Sequence, residues 1–234
     1  MRINKFLSSS GVASRRKSDE YIKSGRVSVN DKIVRDFIDI DVENDIVKVD
    51  DNIIKPVKRK LYFAFNKPPF VLSATKDKSE RQTVCDFFRD INERLFCVGR
   101  LDYLSEGLIL VTNDGDFANR LTHPKFRIKK QYLIKTADIV DDELIDKMKR
   151  GVKLEDGFFS PIFVARTKNE LWIKMVIDVG RNRIIRRFLS HFNIHIDNLK
   201  RIAIGGLRLD NLGEGQYREL SQEEKEYFSR GNPI

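Results

Sequence analysis

Residues 99–116 read GRLDYLSEGLILVTNDGD, and their reading decides the fold. From Gly107 to Thr112 the run is almost wholly apolar, the mark of a strand buried on both faces, and Asn113-Asp114-Gly115 is a turn signal that closes it. Just upstream, RLFCVGRLD predicts a second buried strand ending at Asp102. A carboxylate on that threshold is what core packing alone would avoid.

Working outward, LYFAFNKPP from Leu61 predicts a further apolar strand, stopped by Pro68-Pro69, and TVCDFF (83–88) a short helix. DDELIDKMKRG (141–151) predicts a helix with an acidic start, a basic end and a glycine stop, with Leu144, Ile145 and Met148 on one face. ELWIKMVIDVG (170–180) predicts a long strand. RNRIIRRFLSHF predicts a helix with Ile184, Ile185, Phe188, Leu189 and Phe192 on its apolar face. Arg183 would point away from the core on this helix, with Arg186 and Arg187 flanking its apolar face on opposite sides. A last strand, RIAIGGLRL, precedes a helix opened by the capping pair Ser221 and Glu224. Strands outnumber helices and do not alternate strictly with them. The expectation is therefore an α+β fold with a mainly antiparallel sheet.

The first fifty residues read differently. Ile3, Phe6 and Leu7 have helical spacing with Gly11 as a stop, and Ser14 can cap a second helix that buries Tyr21 and Ile22. RVSVNDKIV predicts a hairpin turning at Asn30-Asp31, and DIDVENDIVKVD a second one turning at Glu43-Asn44-Asp45. NIIKPVKRK (52–60) reads as a basic linker broken by Pro56. The domain expectation is a small module over 1–55, a linker over 56–60 and a larger domain over 61–234.

The chain has 44 Lys and Arg against 35 Asp and Glu, a net charge of +9, which favours a polyanionic partner. The excess is concentrated: residues 1–35 carry nine basic and three acidic side chains. Arg2, Lys5, Arg15, Arg16, Lys17, Lys23 and Arg26 crowd one helical side. A solvated charged face and a nucleic-acid-binding face both account for that pattern. No stretch approaches the roughly 18–20 apolar residues of a membrane span, and no secretory signal opens the chain. Cys85 and Cys97 form no metal-binding motif, and His123, His191 and His195 are scattered. The expectation is a protein of the reducing cytoplasm, with no metal and no membrane partner.

Asp102 has three structural readings: a turn residue, a helix cap, or half of an ion pair with Arg100. The functional reading is sharpened by what is missing. No GxGxxG, no phosphate-binding GxxxxGK[ST] and no GxSxG occurs, so an enzyme built here must work with carboxylate, arginine and aromatic groups. A lone carboxylate can act at a sugar carbon. In a basic protein, that points to a glycosidic bond within a nucleic acid.

Gly99-Arg100-Leu101-Asp102, with Ser105-Glu106-Gly107-Leu108 and Thr112-Asn113-Asp114-Gly115, closely resembles the central motif of bacterial ribosomal-RNA pseudouridine synthases of the RsuA/RluB type. The resemblance covers essentially the whole chain, and the start resembles the S-four RNA-binding domain. Asn66-Lys67-Pro68 resembles the opening strand motif, Lys130-Gln131-Tyr132-Leu133 the tyrosine motif, Gly180 through Arg187 the basic helix motif, and Leu199-Lys200-Arg201 the closing leucine motif. It implies that Asp102 is the catalytic aspartate, that Tyr132 stacks on the base and assists removal of the carbon-five proton, and that Arg186 pairs with the aspartate. Arg100 and Leu199 are then pocket residues, and Arg2, Lys5, Arg15, Arg16, Lys17 and Arg26 hold RNA. Three positions depart from the family pattern: Phe70 stands where glycine is usual, Ile184 where glutamine is, and Val179 where an acid is common.

The expected function is isomerisation of one uridine of ribosomal RNA to pseudouridine, without cofactor, by a monomer acting on ribosomal RNA or a subunit precursor. LTHPKF (121–126) and GVKLEDG (151–157) resemble the large-subunit branch. The alternative is a non-catalytic ribosome-assembly factor on the same scaffold.

Overall fold

The computed structural model describes residues 1–229 and resolves them into two compact units. The smaller comprises residues 1–61 with 91–94 and 113–115, and the larger the remainder. Six α-helices and fifteen strands occur among the described residues.

In the smaller unit, α1 (Ile3–Ser9) and α2 (Arg15–Lys23) precede β1 (Val27–Val29), β2 (Lys32–Val34), β3 (Val47–Val49) and β4 (Asn52–Ile53). The Ser14 side chain caps α2 by accepting from the Lys17 amide. The strands form an antiparallel sheet in the order β2-β1-β3-β4. Ile3, Phe6, Leu7 and Ile22 from the helices meet Val27, Val29, Val47 and Val49 in one core. Ile22 is fully buried as expected, whereas Tyr21 is only half-buried and lies under the Arg26 guanidinium, 4.0 Å from its ring centre.

The first hairpin turns at Asn30-Asp31, both left-handed, as the sequence predicts. The second does not turn at Glu43-Asn44-Asp45. There the Asp41 carboxylate accepts from the Glu43 amide and the Asn44 side chain and folds the segment into a turn of its own. The hairpin is β3–β4, turning at Asp50-Asp51, which adopt φ of 47° and 63°. Two aspartates can take this geometry, but they do not advertise it as Asn-Gly does. Asn52 and Ile53, read as linker, are paired to β3.

The larger unit is built on β5 (Tyr62–Lys67), β6 (Phe96–Val98), β7 (Glu106–Thr112), α3 (Gly115–Thr122), β8 (Lys130–Thr136), α4 (Asp142–Arg150), β9 (Val152–Leu154), β10 (Gly157–Phe159), β11 (Phe163–Arg166), β12 (Trp172–Ile177), α5 (Ile184–His191), β13 (Ile196–Ile204), β14 (Leu207–Arg208), β15 (Tyr217–Glu219) and α6 (Gln222–Ser229). Seven of these strands run in the order β11-β12-β8-β13-β7-β5-β15, with β14 pairing β13 and β6 pairing β7. Every pairing in this sheet is antiparallel except β7–β13. The β9–β10 hairpin stands apart as a two-stranded sheet. The α+β architecture with a mainly antiparallel sheet is thus as the sequence indicates.

β7 is an interior strand, flanked by β13 and β5: Leu108, Ile109, Leu110 and Val111 are all buried, so both faces of the sheet are covered at this point. On one face Leu108, Leu110 and Ala64 pack with Leu121 of α3 and Phe228 of α6. Elsewhere in the unit, α4 forms as its sequence dictates, with the Asp141 side chain accepting from the Leu144 amide and Ile145 and Met148 buried.

Three expectations are corrected here. The strand expected to end at Asp102 is β6, which stops at Val98 before Gly99 turns left-handed, so Asp102 lies on the loop joining β6 to β7. RIAIGGLRL is not one strand: Gly205-Gly206 turns β13 back into β14, while β13 itself starts five residues earlier than expected. Arg183 is not on the helix but precedes it, in a left-handed conformation (φ 46°).

Candidate active site

The sequence motifs converge on one cavity of about 420 Å³, within the usual range for a small-molecule site. Its lining includes Arg100, Asp102, Tyr132, Arg186 and Leu199, which are the five residues expected for catalysis and pocket. Each arrives by a different route. Asp102 comes from the β6–β7 loop, Tyr132 from β8, Leu199 from β13 and Arg186 from the first turns of α5. The strand register explains the meeting: Tyr132 pairs with Arg201 across β8–β13, and Arg201 pairs with Gly107 across β13–β7.

Arg186 Nε lies 3.6 Å from Asp102 Oδ2, and Arg186 Nη2 donates to Ser105 Oγ at 3.2 Å. The Arg100 partner considered for Asp102 is not its partner in the fold. Asp102 also closes a turn, its carbonyl accepting from the Ser105 amide at 3.0 Å. Among the described residues no side chain forms a close hydrogen bond to its carboxylate. The Asp102 side chain is 30% exposed. Arg187 on the other flank behaves differently: its guanidinium makes two bonds of 2.9 and 2.7 Å to the Asp156 carboxylate. A carboxylate gripped like that has its lone pairs engaged. Asp102 is aimed by a positive charge yet keeps oxygen available.

Burial lowers the pKa of the Arg186 guanidinium, with Asp102 opposing that effect. Tyr132 is almost fully buried, on the pocket wall. Ile184, in place of the family's glutamine, is buried and lines the pocket with apolar surface. Val179 also lines it, while the acid Asp178, one residue earlier, accepts from Arg127 Nε at 2.7 Å.

Sequence reasoning missed Ser73 and, although Lys67 and Arg201 fall within the quoted motifs, gave those two no part in holding this loop. Ser73 Oγ donates to the Leu101 carbonyl at 2.8 Å and accepts from its amide at 3.0 Å. Lys67 is wholly buried, and its ammonium donates to the carbonyls of Pro68 and Ser105, both at 2.7 Å. Arg201, also buried, donates to the Leu108 carbonyl at 2.6 Å and lines the pocket. The available signal was a lysine ending an apolar strand, where a charge needs an explanation. Phe70 is held left-handed at φ 61°, a conformation that costs a non-glycine residue roughly 1–2 kcal/mol.

Burial pushes Lys67 down to about 8, with Glu106 and Asp102 opposing the shift, and pushes the pocket residue Lys130 down to about 8 as well. The native state therefore sheds these protons near pH 8, whereas the unfolded chain keeps them to near 10.5. Where the unfolded state binds more protons, stability rises with pH, by about 1.4 kcal/mol per unit for each group. Cys97, whose thiol is held protonated first by its hydrogen bond with Cys85 and then by burial, acts in the opposite sense above pH 9. Urea unfolding should accordingly show Lys67 adding about 1 kcal/mol of stability between pH 7.5 and 9. Lys67→Met should remove that increment, and an equal slope in both proteins would refute the assignment.

The expected RNA-holding residues divide in the smaller unit. Arg15 and Arg16 are exposed and enter no ion pair among the described residues. Lys17 pairs with Glu20, Arg26 with Asp50 and Arg2 with Asp39, while Lys5 is half-buried. No helix is long and apolar enough to cross a membrane, and no group of three or more His, Cys, Asp or Glu that could hold a metal ion occurs among the described residues.

One pocket thus brings together a carboxylate, an aromatic ring and an arginine, in a chain that also carries a basic N-terminal module. Comparison with known proteins gives the family. Residues 61–191 match the model of the RNA pseudouridylate synthase family, and residues 1–36 that of the S4 domain. An uncharacterized RNA pseudouridine synthase of Aquifex aeolicus is 44% identical over 230 residues, covering 96% of this chain and 92% of the relative. Ribosomal large subunit pseudouridine synthase B of Bacillus subtilis is 39% identical over 229 residues, covering 95% and 93%. A crystal structure of a pseudouridylate synthase superposes with a TM-score of 0.71 at 28% identity, over 97% of this chain and 99% of that one. The chain belongs to the RNA pseudouridine synthase family, in its RsuA/RluB branch with an N-terminal S-four domain.

Proposed function

We propose that this protein converts one uridine of large-subunit ribosomal RNA to pseudouridine, with Asp102, Tyr132 and Arg186 as its catalytic residues and Arg100 and Leu199 in the substrate pocket. The observation that carries the reading is the convergence of all five on one cavity. The likeness to the large-subunit enzyme of Bacillus subtilis and the stretches LTHPKF and GVKLEDG support the substrate class.

A uridine inside folded RNA cannot turn in place, so it is flipped out at a cost of a few kcal/mol. Stacking against Tyr132 and phosphate contacts offset that cost. Asp102 then engages the ribose, by attack at the anomeric carbon or by driving a glycal-type elimination, and the bond from that carbon to N1 breaks. The uracil turns and its carbon five bonds to the anomeric carbon, displacing the Asp102 carboxylate or, in the glycal route, with return of the 2′ proton taken in the elimination. Carbon five then loses its proton with help from Tyr132 while N1 gains one. Nothing is oxidised or reduced, so the stoichiometry calls for no cofactor. Arg186 keeps Asp102 oriented in a pocket where its charge acts strongly.

We assign the basic module to residues 1–55, the linker to 56–60 and catalysis to 61–234, in a cytoplasmic monomer. Arg2, Lys5, Arg15, Arg16, Lys17 and Arg26 hold the RNA backbone. Replacing Arg15, Arg16 and Lys17 together with Gln should weaken RNA binding and lower its log–log salt slope by about 2 units, near 0.7 for each of three single-strand phosphates no longer neutralised. Binding measured at several salt concentrations checks this, and an unchanged slope would make those side chains a solvated face.

The function itself is tested by mapping pseudouridine in ribosomal RNA from cells with and without the gene. One large-subunit uridine should stay unmodified in its absence and be converted by the purified protein. Identical maps would leave the assembly-factor reading.

A further inference from the structure

Phe70 and Tyr103 have no part in the pocket described above, yet they adjoin it. Tyr103 follows Asp102 in the chain, and its carbonyl accepts from the Phe70 amide at 2.7 Å. The two rings meet edge to face, with centroids 5.8 Å apart and planes at 79°. Both are open to solvent, Phe70 at 61% and Tyr103 at 39%. Phe70 is the one apolar residue among the described non-glycine residues with positive φ, a set made mostly of Asn and Asp, which tolerate that backbone. Burial does not offset its strain, because the ring is exposed. Folding alone gives no reason for phenylalanine here.

Two guanidinium groups lie nearby. Arg100, exposed, lies two residues before Asp102 on the same loop. The Arg81 guanidinium is fixed by two bonds to Asp77, at 2.9 and 3.0 Å, and lies in the neighbourhood of Tyr103. Exposed aromatic faces beside fixed guanidinium groups match single-stranded RNA: bases stack on the rings while the cations meet phosphates.

We propose that Phe70 and Tyr103 form a stacking platform for the nucleobase flanking the uridine that enters the pocket, with Arg100 and Arg81 meeting the adjoining phosphates. This rests on the reading that the pocket receives a uridine of RNA. Because every base has a π-face, the platform supplies affinity and holds the strand in place without reading sequence. It also gives the extruded uridine's neighbour a surface to stack on once its own partner has left the stack.

The probe is a twelve-nucleotide single-stranded RNA with one uridine flanked on both sides by 2-aminopurine. Binding to the parent protein should quench the fluorophore. Phe70→Gly and Tyr103→Ala should each lose that quenching and raise Kd about 5- to 50-fold. The kcat/KM for pseudouridine formation in ribosomal RNA should fall by the same factor as affinity. Phe70→Trp, which keeps a π-face, should restore both. Phe70→Gly should melt no lower than the parent, because glycine accepts this backbone, whereas a residue kept for folding would show the opposite. Unchanged Kd and quenching in both variants would overturn the platform and leave the aromatic pair to a protein partner. If the parent protein formed no pseudouridine at all, the reading beneath it would fail instead, before any variant was compared.

Discussion

Asp102→Asn should lower pseudouridine formation roughly a thousandfold or more, which corresponds to about 4 kcal/mol of barrier. The substitution keeps size and hydrogen-bonding shape but removes the negative charge that engages the ribose. It should leave the fold nearly intact, because among the described residues no close hydrogen bond ties the carboxylate down and its pair with Arg186 is a loose 3.6 Å. RNA affinity should stay within a few-fold of the parent. Single-turnover conversion and binding on the same RNA measure the two quantities. Turnover retained in the purified variant would remove Asp102 from the mechanism and favour a protein that only binds.

The largest expected effect on stability comes from a residue outside the pocket lining. Gly107 has φ of 99°, and a Cβ there would sit 2.3 Å from the Arg201 carbonyl oxygen and 2.8 Å from its nitrogen. Both obstacles are backbone, so no rotamer change relieves them. Gly107→Ala must push β7 from β13 at their parallel junction, whose register is only Lys200 with Glu106 and Arg201 with Gly107. A loss of roughly 3–5 kcal/mol is expected, comparable with other severe overpacking and strain substitutions. Activity should fall with it, since Arg201 backs the pocket. Gly115→Ala is the control: nothing lies within 4 Å of its Cβ position, and alanine favours the helix it begins. Thermal and urea melts of the two variants should diverge, and equal stability would mean that the two strands do not approach so closely.

The sequence announced the core elements of the larger unit because their signals are local. The apolar run Leu108–Val111, the acid-to-basic helix of residues 141–151 and the Ser221–Glu224 pair each depend on residues within a few positions of one another, and each forms as read. What it hid depends on distant partners. The β3–β4 turn uses Asp50-Asp51, a pair without glycine, and the length of β13 follows from its pairing with β8 rather than from its own alternation. α3 follows β7 directly, and Asn113-Asp114-Gly115 signalled only a turn. The candidate site divides in the same way. Asp102, Tyr132, Arg186 and Leu199 were found by motif, and the choice of Arg186 over its mirror Arg187 rested on resemblance. The fold gives Arg187 a partner of its own in Asp156, which periodicity could not foresee. Ser73 and Lys67 support the Asp102 loop from positions whose neighbours are invisible along the chain.

The parallel pairing of β7 with β13 also sets the order in which this molecule can be completed. An antiparallel neighbour can be added by a short return of the chain, but β7 must wait for β13, whose first contact with it at Lys200 lies 94 residues beyond Glu106. A chain emerging from its own ribosome can fold β5, β6 and β7 while Asp102 still has neither Arg186 nor Leu199 beside it. Closing contacts so far apart is slow compared with forming hairpins. During synthesis Asp102 is therefore present long before there is a pocket around it, and the pocket's walls come together only after residue 204 has left the exit tunnel.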